Sequence, residues 1–268
     1  MRTALAHTPL DLPPVTISEH AGVRYLHRGS IWVQGAMRLR CPQAVELVYV
    51  QRMLASLLWL PEDTLGRGQA VQLGLGAGAI TRFVLQQLGM ATTAVEINPA
   101  VIDACRLWFD LPAEHARLRL MRMDAGHWLR EVARPASVRL LHVDLYDHEA
   151  AAPVLDDASF YAACRAVLQP GGVMSVNLFG RRSSFADSAA RIAQAFGADQ
   201  VWSLRPTREG NTAVIAGAGV AVPGRDELLQ RAAALEQRFG DLGLKARSWL
   251  RMVRPYSTPP SASEPPPS

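Results

Sequence analysis

The stretch Val71-Gln72-Leu73-Gly74-Leu75-Gly76-Ala77-Gly78-Ala79 constrains this chain more than any other. An apolar run ends in three alternating glycines, and a helix-like segment predicted over Ile80–Leu88 follows at once. Glycines in that pattern let the backbone approach a ligand that a Cβ would push away. A second apolar run, Thr92 to Val95, then ends in Glu96, at the interval where an acid reaches the hydroxyls of a ribose laid over the glycines. The unit is the start of a nucleoside-binding α/β sheet.

The rest of the chain is placed relative to that unit. From Gln69 on, strand and helix patterns alternate, which predicts a parallel sheet with helices on both faces. Strands are expected at Ala70–Leu73, Thr92–Glu96, Leu118–Met121, Val138–Val143 and Val173–Asn177. Helices are expected at Ile80–Leu88, Pro99–Phe109, Gly126–Val132, Ser159–Leu168 and Ser184–Phe196. Pro99 suits a first helical turn, where its missing N–H costs nothing. Strands at Gln200–Leu204 and Ala213–Ala216 would close the sheet as an antiparallel edge pair, and a helix at Arg225–Phe239 follows. Upstream, short β-type runs at Val15–Ile17, Val23–His27 and Ile31–Val33 predict a small antiparallel sheet. Pro42 is then expected to open a helix reaching about Leu60. The organisation is thus a flexible arm (1–14), a β-hairpin region (15–41), an α/β domain (42–256) and a disordered Pro/Ser-rich tail (257–268).

Composition narrows the function. Of 268 residues, 49% are hydrophobic and 19% charged, which suits a globular core rather than a disordered chain. The net charge of +4 comes from scattered arginines and not from a basic block, so nucleic acid is not the expected partner. The three cysteines are far apart, with no C-x-x-C, which fits a reducing, cytoplasmic compartment and argues against a metal site. No apolar run is long enough for a membrane span, and no signal peptide is visible at the start of the chain.

In a parallel α/β sheet the ligand lies beyond the carboxyl ends of the strands. Those ends carry Gly74–Gly78, Glu96, Asp124-Ala125, Asp144 to Asp147, and Asn177. Asp124 reads equally well as a helix N-cap and as a ligand contact. Gly74-x-Gly76-x-x-Ala79 fits a dinucleotide site and an S-adenosylmethionine-type site alike. His142, in an apolar run, reads as a packed core histidine before a base.

The order Gly-rich loop, Val95-Glu96-Ile97-Asn98-Pro99, Asp124-Ala125, Val143-Asp144-x-x-Asp147, Phe160-Tyr161, Leu168-x-Pro170-Gly171-Gly172 resembles the polyamine synthase (spermidine synthase) family, in its bacterial spermidine-synthase-like branch. The resemblance implies a methyltransferase-like (Rossmann-like), mostly parallel sheet preceded by a small N-terminal β-domain. It implies a transferase that moves an aminopropyl group from decarboxylated S-adenosylmethionine, a co-substrate and not a tightly bound cofactor, to a diamine such as putrescine. By motif, Gly74, Gly76, Gly78, Glu96, Asp124 and Ala125 would bind the nucleoside. Asp144 would assist deprotonation of the attacking amine. Asp147, Tyr49, Glu46 and Gln34 would face the acceptor. A homo-oligomer, a dimer, is implied as well.

The chain departs from the family pattern at Ala77, where an acid usually holds the donor's amino group. It departs again at His148, Val50 and Arg38, and an arginine near an amine pocket would repel a diamine. These departures keep two alternatives open: a methyltransferase using intact S-adenosylmethionine, and a non-catalytic nucleoside-binding homologue.

Overall fold

The computed structural model describes residues 12–145, 155–179 and 182–257. Strands β1 (Val15–His20), β2 (Val23–Arg28) and β3 (Val33–Arg38) form an antiparallel sheet in the order β1-β2-β3. The main sheet has eight strands: β4 (Gln69–Leu73), β5 (Ala91–Glu96), β6 (Leu118–Arg122), β7 (Val138–Val143), β8 (Leu168–Phe179), β9 (Val201–Ser203), β10 (Asn211–Gly217) and β11 (Arg254–Pro255). Their order is β11-β9-β10-β8-β7-β4-β5-β6. The pairs among β4 to β8 are parallel, and β10, β9 and β11 add antiparallel at one edge. The chain leaves β4 in one direction for β5 and returns on its other side for β7. The crevice between β4 and β7 is therefore the switch point where such sheets bind ligands.

The helices are α1 (Val48–Met53), α2 (Ala79–Arg82), α3 (Pro99–Trp108), α4 (Ala125–His127), α5 (Ala158–Val167), α6 (Arg182–Phe196), α7 (Arg225–Phe239) and α8 (Ala246–Leu250). Side chains alternate between the two faces of each strand. Ala70, Leu140, Val173 and Ile215 pack against the layer of α1, α7 and α8, while Val71, Leu141, Met174 and Val214 pack against α5 and α6. Among the described residues no helix is long and apolar enough to cross a membrane.

Four local expectations need correction. Ile31 and Trp32 are not in a strand; the third strand begins at Val33, because it must carry Gly35 onto the glycine loop. Pro42 opens no helix. Residues 41–47 are turns held by tertiary bonds, such as Val45 N–H to the Leu242 carbonyl (2.8 Å). The helix begins only at Val48 and tightens into a 3-10 segment, Leu54–Trp59. Leu54, Leu57 and Leu58 are fully buried there. At about 1.5–3 kcal/mol each, their burial outweighs the poorer hydrogen-bond geometry of such a segment.

The helices after the glycine loop and after Asp124 widen into π-type turns, Phe83–Gln87 and Trp128–Val132, closed by Leu88 N–H to Phe83 O and Ala133 N–H to Trp128 O. Pro170-Gly171-Gly172 does not precede β8 but loops out of it, since the pairing with β7 jumps from Val138–Leu168 to Leu140–Val173. The arm is anchored where it is described: Pro14 O accepts from Gly29 N–H (2.9 Å) and Pro13 O from Asn98 Nδ2 (3.1 Å).

Candidate active site

The glycine loop lies against the end of β7. A Cβ on Gly74, whose φ is +84°, would stand 2.1 Å from the carbonyl oxygen of Asp144, so only glycine fits. Three side chains brace the loop. Gln72, the polar residue in the middle of β4, donates through Nε2 to the carbonyls of Gly74 (2.7 Å) and Leu75 (3.2 Å), while its Oε1 accepts from Thr81 Oγ1 (2.6 Å). Arg82, buried without a carboxylate against it among the described residues, donates to the carbonyls of Ala77 (2.7 Å) and Phe109 (2.5 Å). Burial pushes its guanidinium down from the usual arginine range, and the nearby Cys105 and Asp110 oppose that only in part. Glu96 is the third brace: Oε2 accepts from Leu75 N–H (3.0 Å) and Oε1 from Asn98 N–H (2.9 Å). Each carboxylate oxygen keeps further acceptor capacity toward the cavity it lines.

That cavity, about 270 Å³, runs over Gly74 and Gly76 and past Glu96, Asp124 and Ala125 to Asp144. Asp124 Oδ1 caps α4 by accepting from His127 N–H (2.8 Å), and the residue also lines the cavity. Gly78 does not line it; at φ +71° it caps the start of α2. The N-terminal sheet forms the roof. Gly35 approaches so closely that a Cβ on it would lie 2.4 Å from the Ala77 Cβ, and a Cβ on Gly76 would lie 3.0 Å from the Gln34 carbonyl. Ala77 therefore faces β3 and not the cavity. Arg28, at the end of β2, lines the cavity instead.

A second cavity of about 500 Å³ opens on the other side, between β3, α1 and the ends of β8 and β10. Its walls include Trp32, Tyr49, Asn177 and Glu46. Among the described residues the two cavities share Gln34 and Asp144 and no other lining residue. Asp144 is held from two sides: Asn177 Nδ2 donates to Oδ1 (2.9 Å) and Tyr49 OH to Oδ2 (3.2 Å). Burial raises its pKa above the ordinary carboxylate value, and the two hydrogen bonds offset the rise only in part. A carboxylate with that bias, between two cavities, is suited to receive a proton from a group reacting across it.

Glu46 lines the second cavity and is paired there with an arginine. Arg38 grips it through Nε (3.0 Å to Oε2) and Nη2 (2.8 Å to Oε2, 3.1 Å to Oε1). The arginine that would repel a diamine thus spends its charge on the nearest acid. His142 is a core residue as expected, with Nδ1 2.8 Å from Ser175 Oγ, and burial lowers its pKa to about 3. Asp147 and His148 lie outside the described residues. Asn177 and Gln72 were visible in the sequence, one as a strand end and one as a polar residue in an apolar run, but nothing along the chain assigned them a contact.

These features define a class: an α/β protein with a mostly parallel sheet, a cavity over a glycine loop at the switch point, and a second cavity beside it. No family model matches the chain. It is 31% identical over 231 residues to the polyamine aminopropyltransferase of Chromobacterium violaceum, covering 85% of this chain and 86% of that protein. A probable spermidine synthase from Corynebacterium glutamicum shares the fold at 20% identity, with a TM-score of 0.68 over 88% of each chain. Human methyltransferase-like protein 13, solved with SAH, matches at 22% identity and a TM-score of 0.64, over 72% of this chain and 93% of that one. The chain belongs to the polyamine aminopropyltransferase family and is a transferase.

Proposed function

We propose that this enzyme transfers the aminopropyl group of decarboxylated S-adenosylmethionine to one end of a diamine such as putrescine. The observation that carries the reading is the meeting of two cavities at Asp144 and Gln34. The donor lies in the first cavity, with its ribose hydroxyls on Glu96 and its adenine by Asp124 and Ala125. The acceptor lies in the second, along Tyr49. At the junction the amine nitrogen attacks the methylene carbon attached to the sulfonium. The carbon–sulfur bond breaks, its electron pair stays on sulfur, and methylthioadenosine leaves. The amine is protonated in neutral water and unreactive in that form, so Asp144 accepts its proton. Tyr49 and Asn177 hold the carboxylate in place, and the two cavity walls align nitrogen, carbon and sulfur. Asp147 matches the second acid of the family motif.

A second reading, methyl transfer from intact S-adenosylmethionine, is favoured by one feature. Arg28, a cation, lines the donor cavity, and a positive charge there suits a donor carboxylate. Calorimetry with decarboxylated S-adenosylmethionine, S-adenosylmethionine, methylthioadenosine and NAD, followed by a putrescine assay, separates the two. Tighter binding of the decarboxylated donor with spermidine formation supports the first reading. Selective binding of the intact donor without spermidine formation supports the second, and binding of methylthioadenosine with no turnover points to a non-catalytic homologue.

A further inference from the structure

The acceptor cavity carries a third acid that the family motifs do not include. Glu209 lies in the turn between β9 and β10 and lines the cavity two residues before Asn211, the first residue of β10. The three acids of that wall differ in what they have left to offer. Asp144 stands at the reaction centre. Glu46 is paired with Arg38, which donates to both of its oxygens. Glu209 is exposed, and among the described residues no salt bridge closes on it. Hydrogen bonds from its own backbone and from Thr207, with smaller help from the nearby Arg208 and Arg52, hold its carboxyl below the usual range and so charged. Arg52 also donates through Nη1 to the carbonyl of Arg205 (2.6 Å).

The placement suits a linear dication. Asp144 ends β7 and Glu209 precedes β10, with β8 between them in the sheet. Two strand spacings separate those columns by about 10 Å, and the register sets Glu209 four residues further along than the level of Asp144. Both acids line the one cavity, so a linear diamine lying along it meets an acid at each end. Between the two acids runs a polar track, in which Asn211 Nδ2 donates to Asn177 Oδ1 (3.2 Å) and Asn177 Nδ2 donates to Asp144 (2.9 Å). Trp32 and Val48, both exposed, flank the opening with apolar surface suited to methylenes.

We propose that Glu209 is the specificity-determining residue for the acceptor, binding the distal ammonium of a diamine whose near nitrogen reacts beside Asp144. This assignment rests on the aminopropyl-transfer reading. It makes the enzyme selective for diamines over monoamines of the same length, and Glu209 its source.

The test compares putrescine with 1-aminobutane as acceptors for the wild type, Glu209→Gln and Glu209→Asp. The expected result is a wild-type preference for putrescine in kcat/KM. In Glu209→Gln that preference shrinks by about fivefold, the upper end for a solvent-exposed ion pair. The change falls on KM for putrescine, with kcat and the monoamine values held, and Glu209→Asp restores part of it. A loss of folding would lower both acceptors together and leave the ratio unchanged. Wild-type transfer with a putrescine-to-monoamine ratio that Glu209→Gln leaves unchanged overturns the assignment of Glu209 alone. Absence of transfer to any amine by the wild type overturns the functional reading, and this assignment with it.

Discussion

The chemistry at the residue scale turns on Asp144. Replacing it with Asn keeps the volume and the hydrogen bond from Tyr49 but removes the proton acceptor. Turnover should fall by about 10²–10⁴-fold, the usual worth of a general base, with the donor dissociation constant nearly unchanged. A single-turnover assay beside calorimetry checks both halves; undiminished turnover removes Asp144 from the mechanism. The pH profile carries a second expectation. Because burial raises the pKa of Asp144, the acidic limb of kcat/KM should lie above the ordinary carboxylate range. The bond from Asn177 stabilises the charged form, so Asn177→Ala should move that limb to still higher pH, and a limb that moves down contradicts the assignment. His142 adds a stability term of definite sign. It is neutral when folded, with a pKa lowered to about 3, and ordinary when unfolded. Below the usual histidine pKa the unfolded state binds a proton that the folded state refuses. Stability present above pH 6.5 is therefore lost as pH falls toward 3, by up to about 1.4 kcal/mol per unit. Asp144, with its raised pKa, acts oppositely above the ordinary aspartate value. The contribution of His142 is thus read from the difference between wild type and His142→Gln in urea midpoints across pH.

The decisive feature at the element scale is the contact of β3 with the glycine loop. Gly35 and Ala77 leave no space for another methyl group, so Gly35→Ala should force the two elements apart. Overpacking of this kind costs about 1–3 kcal/mol. It should show as a lower urea midpoint and, because the roof of the donor cavity lifts, as weaker methylthioadenosine binding. Full retention of both would mean that the roof does not shape the cavity. The same contact explains what the sequence left obscure about Ala77. Its departure from the family pattern reads as a lost ligand contact, yet the residue points at β3 and does not line the first cavity. The 3-10 segment after α1 gives a related lesson. Its leucine spacing reads as helix, but the core accepts a tighter winding, because all three leucines are then buried at once.

The whole molecule places two cavities on either side of one carboxylate. A ligand joining the adenosine part of the donor to a diamine through a thioether should span both. It should bind at least about 100-fold more tightly than methylthioadenosine, as transition-state-like ligands do. Titration calorimetry gives that ratio, and equal affinities would mean that the cavities are not used together. Much of this arrangement is legible in the chain itself. In an alternating β/α pattern every parallel strand ends at the same edge, so Gly74, Glu96, Asp124 and Asp144 converge there wherever the helices pack. Glycine spacing and strand-end acids are local facts, and one sequence carries them. The partners of those residues are not local. Tyr49 meets Asp144 across 95 positions, and Asn177 reaches it from the neighbouring strand. Arg38 pairs with Glu46 on the wall of the second cavity, and Gln34 closes the roof only because the small sheet docks on the large one. The sequence by itself determined which residues line one edge of a nucleoside-binding sheet. Only the tertiary structure decided which of their charges remain open to a substrate, because that depends on contacts between segments that the chain order does not bring together.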